Sequence, residues 1–501
     1  MKKLFLVFIA LVLAASVLAG CGFRGRQNSG DTASNDLQEG YDPFGGKDNT
    51  DENFQRVKYD LGGRIIRIVN EQGNTGNASD YDHTPRLEKQ PIRYYSMIDT
   101  QEFYNCQFQY LMLPAEQAAE NLKVNHMAGT AEYDAYYLRG EQILPELING
   151  NFCLALSDYY AFDKDPAWTN AHVRDMGWWN GVKYSMLMDA PNYGYAMWYN
   201  KALLAKYNLQ DPWTHIGPDT WNWQTFRDYC VKATKRVPGN PSESFYGFSS
   251  ETPGQTFIVS NGGTIVDIVG GKATLVYDTP EAIEALEYLV GLVGKDKVMP
   301  ATAEIQALPG INQGVLPEYG AMATGHVLFF NYMMGYCGFL EKSGLDAKDI
   351  GVIYVPKGPK ASTYRISSPT QPGQYVIPAT LRASDREMVV AALQDNFAYW
   401  SKNKQSYTPL EDGYQNAFND DWAINLYGKN RTDDHLRQIF MENGALTVYT
   451  LEYNFANNYD TVREVVKVFD TIFRGESNVK TALAVNKSSI QALIDAAASV
   501  K

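Results

Sequence analysis

Arg64-Ile65-Ile66-Arg67-Ile68-Val69-Asn70 opens the folded part of this chain. The run is short and dense in β-branched residues, which suits a buried strand better than a helix. Residues 106–113 read as a second strand, and residues 114–127, rich in Ala, Glu and Leu, as a helix. Residues 133–138 make a third strand. Strands and helices continue to alternate, which favours layered α/β architecture. Thr279-Pro280-Glu281 carries a hydroxyl cap, a proline in the first turn and an acid at the positive end of a helix reaching about Val293. Ile283, Leu286, Leu289, Val290 and Val293 mark its buried face. Residues 385–400 and 458–474 repeat that amphipathic spacing. No internal repeat and no second membrane span is visible.

Upstream of Arg64 the chain has another character. Lys2 and Lys3 precede an apolar run, residues 4–17, too short for a comfortable span, and Leu18-Ala19-Gly20-Cys21 follows. A positive start, a short apolar stretch and small residues before the cut describe a secretory signal, here residues 1–20. The cysteine matches the lipobox of bacterial lipoproteins, whose thiol is acylated before cleavage. Cys21 is therefore the expected lipidation site and first mature residue. Each buried acyl methylene contributes about 0.8 kcal/mol, and several chains together anchor stably. Residues 21–60, rich in Gly, Asn, Asp and Ser, bury too little apolar surface to offset chain entropy and read as a flexible tether.

About 440 residues remain, enough for at least two domains. The net charge of −13 comes from 57 acids against 44 bases spread along the chain, so a nucleic-acid partner is not expected. Cys106, Cys153, Cys230 and Cys337 lack the paired spacing of a metal site or redox dithiol and read as small buried thiols. Six histidines without an i, i+4 pair give a zinc enzyme no support. No metal and no cofactor is implied.

The order of segments resembles the extracellular solute-binding proteins of family 1, the maltose-binding-protein-like receptors of ABC importers, over nearly the whole folded chain. Trp198-Tyr199-Asn200-Lys201-Ala202-Leu203-Leu204 with residues 207–209 resembles the family's "YNK-elf-ekyGl" segment, and Asp219-Thr220-Trp221 follows. Asn261-Gly262-Gly263 and Asp278-Thr279-Pro280-Glu281-Ala282 resemble its Gly-Gly turn and helix start. Gly320-Ala321-Met322 with Gly325 resembles "gkaAM...G". Val355-Pro356-Lys357-Gly358 resembles "plPkG", and Gly373-Gln374-Tyr375-Val376-Ile377-Pro378 the return strand.

The resemblance implies a two-lobed periplasmic-binding-protein-like fold of type II with a ligand cleft between the lobes. Lobe I is expected from residues 61–190 and 318–371, and lobe II from residues 191–317 and 372–501. Chain crossings are expected near residues 189–195, 313–318 and 372–375. A ligand touching both lobes favours the closed state through its extra contacts there. Ligands of α/β folds sit beyond the carboxyl ends of strands, which points to Glu71 and Gln72 after the first strand. Carried over position by position, the resemblance implies Arg139 and Glu141 after the third strand, Tyr193 before the first crossing, the loop of Gln255, and Tyr449 and Tyr453. His326 stands where the family often has a stacking Trp.

With 34 Tyr, 22 Phe and 9 Trp, aromatic rings are abundant. Trp178, Trp179 and Tyr193 fall near the implied cleft, where flat rings can cover the apolar faces of sugars while Asp, Glu, Asn, Gln and Arg bind their hydroxyl rims. Trp221 and Trp223 read as structural. A carbohydrate or oligosaccharide is thus the leading ligand, captured for the transmembrane subunits of an ABC permease by a monomer held to the membrane only through its lipid. No enzymatic activity is expected, since no carboxylate pair is selected for glycoside hydrolysis and no nucleophile elbow is placed. The alternatives are a surface glycan-processing enzyme and a receptor for ferric iron or peptide serving a sensor kinase. The doublets Tyr94-Tyr95, Tyr136-Tyr137 and Tyr159-Tyr160 raise the iron reading but lack a histidine partner.

Overall fold

The computed structural model describes residues 58–71, 91–162, 176–179, 181–187, 194–270, 272–308, 317–333, 337–368, 373–398, 434–436, 438–439, 446–448, 450–453 and 460–498. Its first sheet is built on β1 (Arg64–Glu71), which pairs in parallel with β2 (Cys106–Leu113) and β3 (Ala135–Leu138). Parallel neighbours need crossovers, and α1 (Pro91–Tyr104) and α2 (Ala115–Met127) lie in them. β1 is covered on both faces only over residues 68–70. Its amino half alternates, with Ile66 buried and Ile65 45% exposed, which corrects the expectation of a strand buried throughout.

After a small hairpin of β4 (Trp178–Trp179) and β5 (Val182–Lys183), β6 (Ser185–Met186) enters the first sheet at its edge. The second sheet has the order β12-β7-β11-β8. β7 (Tyr195–Asn200) runs antiparallel to β11 (Val327–Met333) and β12 (Ile350–Ile353), while β8 (Tyr246–Ser250) lies parallel to β11. Every residue of β7 is buried. Around this sheet pack α3 (Trp223–Ala233), α4 (Pro253–Ser260), α5 (Pro280–Val290) and a hairpin of β9 (Val266–Val269) and β10 (Lys272–Leu275). Trp221 and Trp223 are buried among Phe226, Phe257 and Phe329, the structural role expected of them. The α5 cap is as read: Thr279 Oγ1 accepts from Ala282 N and Pro280 fills the first turn.

Strand pairing overturns the expected division of the lobes. β11 and β12, placed in lobe I by the sequence reading, belong to the second sheet. β14 (Gln374–Val376), placed in lobe II, pairs with β3 and β6 in the first, and α6 (Ala383–Phe397) packs beside α1. Lobe I therefore comprises the described residues within 58–187 and 373–398, and lobe II those within 194–353 with the carboxyl-terminal helices α7 (Asp460–Phe473) and α8 (Val479–Ala498). β8 and β11, which precede and follow the crossing expected near residues 313–318, lie in one sheet, and residues 309–316 lie outside the described residues. The chain passes between lobes after β6, before β14, and again after α6. Two passing segments pair with each other, β13 (Ile366–Ser367) beside β15 (Thr447–Val448).

Helix α6 is also not simply amphipathic, because residues 389–397 are all buried. Its acids and amides there are matched: Thr100 Oγ1 donates to Asp395 at 2.7 Å and Asn396 to Tyr110 Oη at 3.2 Å. Arg64 clamps this lobe by joining Asp134 and Asp385. Cys106, Cys153 and Cys230 are free and buried, and burial pushes the first two thiols up to about 12. Cys337 begins a short helix, and its side chain lies outside the described residues.

Candidate functional site

Apolar strands carrying a buried asparagine in their carboxyl halves lead to the carboxyl edges of both sheets. In lobe II, β11 runs through Phe329 and Phe330 to Asn331, which is fully buried. Its Nδ2 donates to Ala196 O at 3.1 Å, and its Oδ1 accepts from Ser250 Oγ at 3.2 Å and Thr256 Oγ1 at 2.9 Å. One amide thus joins β7, β8 and α4. Beyond Ser250 the chain turns through Glu251 and Thr252 into α4, where Pro253 suits the first helical turn.

Gln255, in that turn, is buried. Its Nε2 donates to Thr450 Oγ1 and to Glu452 Oε1, both at 2.8 Å, so it fastens the turn at residues 451–453 to α4. Glu452 is 2% exposed and its Oε2 accepts no hydrogen bond. Burial pushes this carboxyl up to about 7, against the pull of bonds from Thr450, its own backbone and Gln255. Thr252 Oγ1 and Ser367 Oγ are likewise buried without a partner.

Arg365 lies two residues before Ser367, on the same side of an extended segment. It is half-buried, its Nε is unbonded, and burial alone draws its pKa below the usual guanidinium range. In lobe I the matching feature is Asn70, at the carboxyl end of β1. It is 1% exposed and neither amide atom has a partner among the described residues. Buried polar groups are normally bonded, and leaving one unpaired costs about 1–3 kcal/mol, so these orphans mark places where a ligand's hydroxyls could complete the bonding.

The expected site residues divide accordingly. Gln255 is at this edge but holds other protein groups. Glu71 ends β1 and Glu141 lies in the turn Gly140–Gln142, with both side chains outside the described residues; the same holds for Tyr453. Gln72, Tyr193, Tyr449 and Cys21, the expected lipidation site, lie outside the described residues altogether. Arg139 sits after β3, where its backbone N donates to Gln142 Oε1 at 3.0 Å.

Trp178 and Trp179 have packing roles. Trp179 is 9% exposed in the core, and Trp178 covers the buried Lys183, whose Nζ lies 5.5 Å from its ring and donates to Met176 O at 2.6 Å. His326 is a correction. It stands at the amino end of β11, opposite the edge that carries Asn331, stacked on Phe245, with its ring nitrogens at Thr324 Oγ1 and Ser242 O. The preceding Gly320, Ala321 and Met322 are in a helix (Pro317–Ala323) rather than the strand that reaches the edge.

Asn70, Asn331, Arg365 and Ser367 were not among the expected site residues, whereas Glu452 falls in the segment around residues 449–459 that the resemblance implied. The signal was present for the asparagines, as the polar end of an apolar run in Ile-Val-Asn70 and Phe-Phe-Asn331. Of the tyrosine doublets, Tyr136 and Tyr137 on β3 go separate ways, Tyr136 to Asn121 and Tyr137 to the Tyr375 ring. Among the described residues no three metal-ligating side chains gather.

Comparison with known proteins adds the family context. The pattern of the family described as bacterial extracellular solute-binding protein matches residues 99–387. Among solved structures, a sugar transporter from Rhizobium etli in an open conformation superposes with a TM-score of 0.58 at 13% identity, covering 87% of this chain and 100% of that one. A cyclic α-maltosyl-1,6-maltose binding protein from Arthrobacter globiformis gives 0.57 at 14% identity, with 87% and 100% covered. UspC of M. tuberculosis gives 0.56 at 16% identity, with 86% and 100% covered. At such identities the likeness is one of fold, the two-lobed α/β architecture that the strand pairing also describes.

Proposed function

This chain belongs to the bacterial extracellular solute-binding proteins, and from that premise we propose that it is the binding component of an ABC importer, lipid-anchored through Cys21, that captures an oligosaccharide between its lobes and passes it to a permease unchanged. The observation carrying this reading is the set of unpartnered buried polar groups on both sides: Asn70 at the strand edge of lobe I, Thr252 at that of lobe II, and Ser367 on the segment between. A molecule rimmed with hydroxyls supplies both donors and acceptors to such groups. Solved neighbours described as a sugar transporter and as a cyclic maltosyl-maltose binding protein support carbohydrate as the class. No helix among the described residues is long and apolar enough to cross a membrane, so the transport pathway is assigned to separate permease subunits.

A micromolar dissociation constant corresponds to about −8.2 kcal/mol, which a few hydrogen bonds and stacked rings can supply after ordering costs. The test is a melting-temperature screen against oligosaccharides, amino acids, peptides and ferric complexes. Carbohydrates alone should raise the midpoint; a shift produced only by peptide or iron would overturn the ligand class, and conversion of a bound glycan to products would overturn the transport role.

A further inference from the structure

Beside the lobe II strand edge lies a cavity of about 540 Å³, between α7, the amino end of α4 and residues 299–304. Among the described residues, none of lobe I lines it. Its walls include the apolar Val293, Met299, Val465 and Phe469 and four acids; Glu304 is paired with Arg236 and Glu251 is exposed, which leaves two carboxylates to break the apolar surface. Glu452 is one, with its unbonded Oε2. Asp470 is the other; burial raises its pKa, opposed by Arg474 one turn away. Its side chain makes no hydrogen bond or ion pair with the described residues.

The two arginines on the rim are already engaged, Arg236 by Glu304 and Arg474 by Glu476. A carboxylate withdrawn from water without a cation is costly, and buried charges are normally paired or ligate metals. Among the described residues no metal-ligating cluster of three exists, and apolar walls do not suit a hydrated ion. What fits is a positive charge that brings hydrocarbon with it, in a volume within the range of small-molecule sites.

We propose that this lobe II cavity binds an organic cation with an apolar body, an alkyl- or arylalkyl-ammonium, held by the Glu452 and Asp470 carboxylates with its hydrocarbon part against Val293, Val465 and Phe469. The cavity borders the lobe II strand edge and includes Thr252 in its lining, but its two carboxylates are distinct from the Asn70 and Ser367 groups proposed for oligosaccharide capture. The test is calorimetric titration of the full chain, buffered well above neutrality, with 2-phenylethylammonium chloride and with 2-phenylethanol as its uncharged counterpart. The ammonium should bind, and the alcohol should bind at least about tenfold more weakly. Glu452→Gln and Asp470→Asn should each weaken the ammonium by about tenfold. Val466→Trp, at a cavity-lining position 38% exposed and so tolerant of bulk, should abolish binding without lowering the melting temperature. Should Glu452→Gln fail to fold, the other two variants decide. Equal affinity for both probes, no binding of the ammonium, or binding indifferent to the substitutions would overturn the proposal.

Discussion

Asn70 and Asn331 are the same residue in the carboxyl halves of β1 and β11, and their bonding makes opposite predictions. Replacing Asn331 by Ala leaves Ala196 O, Ser250 and Thr256 without their shared partner and should cost about 2–4 kcal/mol in denaturant unfolding. Asn70→Ala removes an amide that bonds nothing, so stability should hold while oligosaccharide affinity falls. Comparable destabilisation by both would mean that Asn70 is structural. Glu452 gives a pH prediction. Its folded value, about 7, lies above the ordinary glutamate value of 4.5, so between those limits the folded state holds more protons than the unfolded one. Stability should therefore fall as pH rises through this window, by up to about 3 kcal/mol, and be fully retained below it. Glu452→Gln should flatten this part of the profile; an unchanged slope would exclude Glu452 as its source. The residue type at such positions was legible, but its bonding was not, because the groups that satisfy Asn331 come from β7, β8 and α4.

At the scale of elements, local chemistry was readable and pairing was not. The Thr279-Pro280 cap, the strand Cys106–Leu113 and the buried face of α7, with Val465, Val468, Phe469 and Ile472, were all visible in short windows of sequence. Membership of a sheet was not, since β11 and β14 are each assigned by partners far away in the chain: Tyr199 faces Phe329, and Val376 faces Tyr136. His326 was misplaced for the same reason, because a motif match fixed its neighbours in sequence but not the end of the strand on which it sits. Packing between elements is close where α3 crosses β8. A Cβ added at Gly247 would lie 2.3 Å from the Cys230 backbone, which cannot rotate aside as a side chain could. Gly247→Ala should accordingly cost about 3 kcal/mol, measured as a drop in the denaturation midpoint; a neutral result would show that α3 can shift.

At the scale of the whole molecule, two sheets with separate strand edges are joined by passing segments, two of which pair as β13 and β15. In the proposed mechanism this joint is the hinge, and a ligand that bonds to both edges shifts the balance toward the closed form by its extra contacts. A ligand held by one edge alone would shift nothing. The proposed lipid anchor belongs to this scale as well: Cys21→Ser should move the protein from the membrane fraction to the medium or periplasm, and unchanged partitioning would reject lipidation. The most direct test of lobe closure is small-angle scattering with and without the oligosaccharide that gives the largest melting shift. Saturation should reduce the radius of gyration, and an unchanged scattering profile at proven saturation would contradict capture between moving lobes.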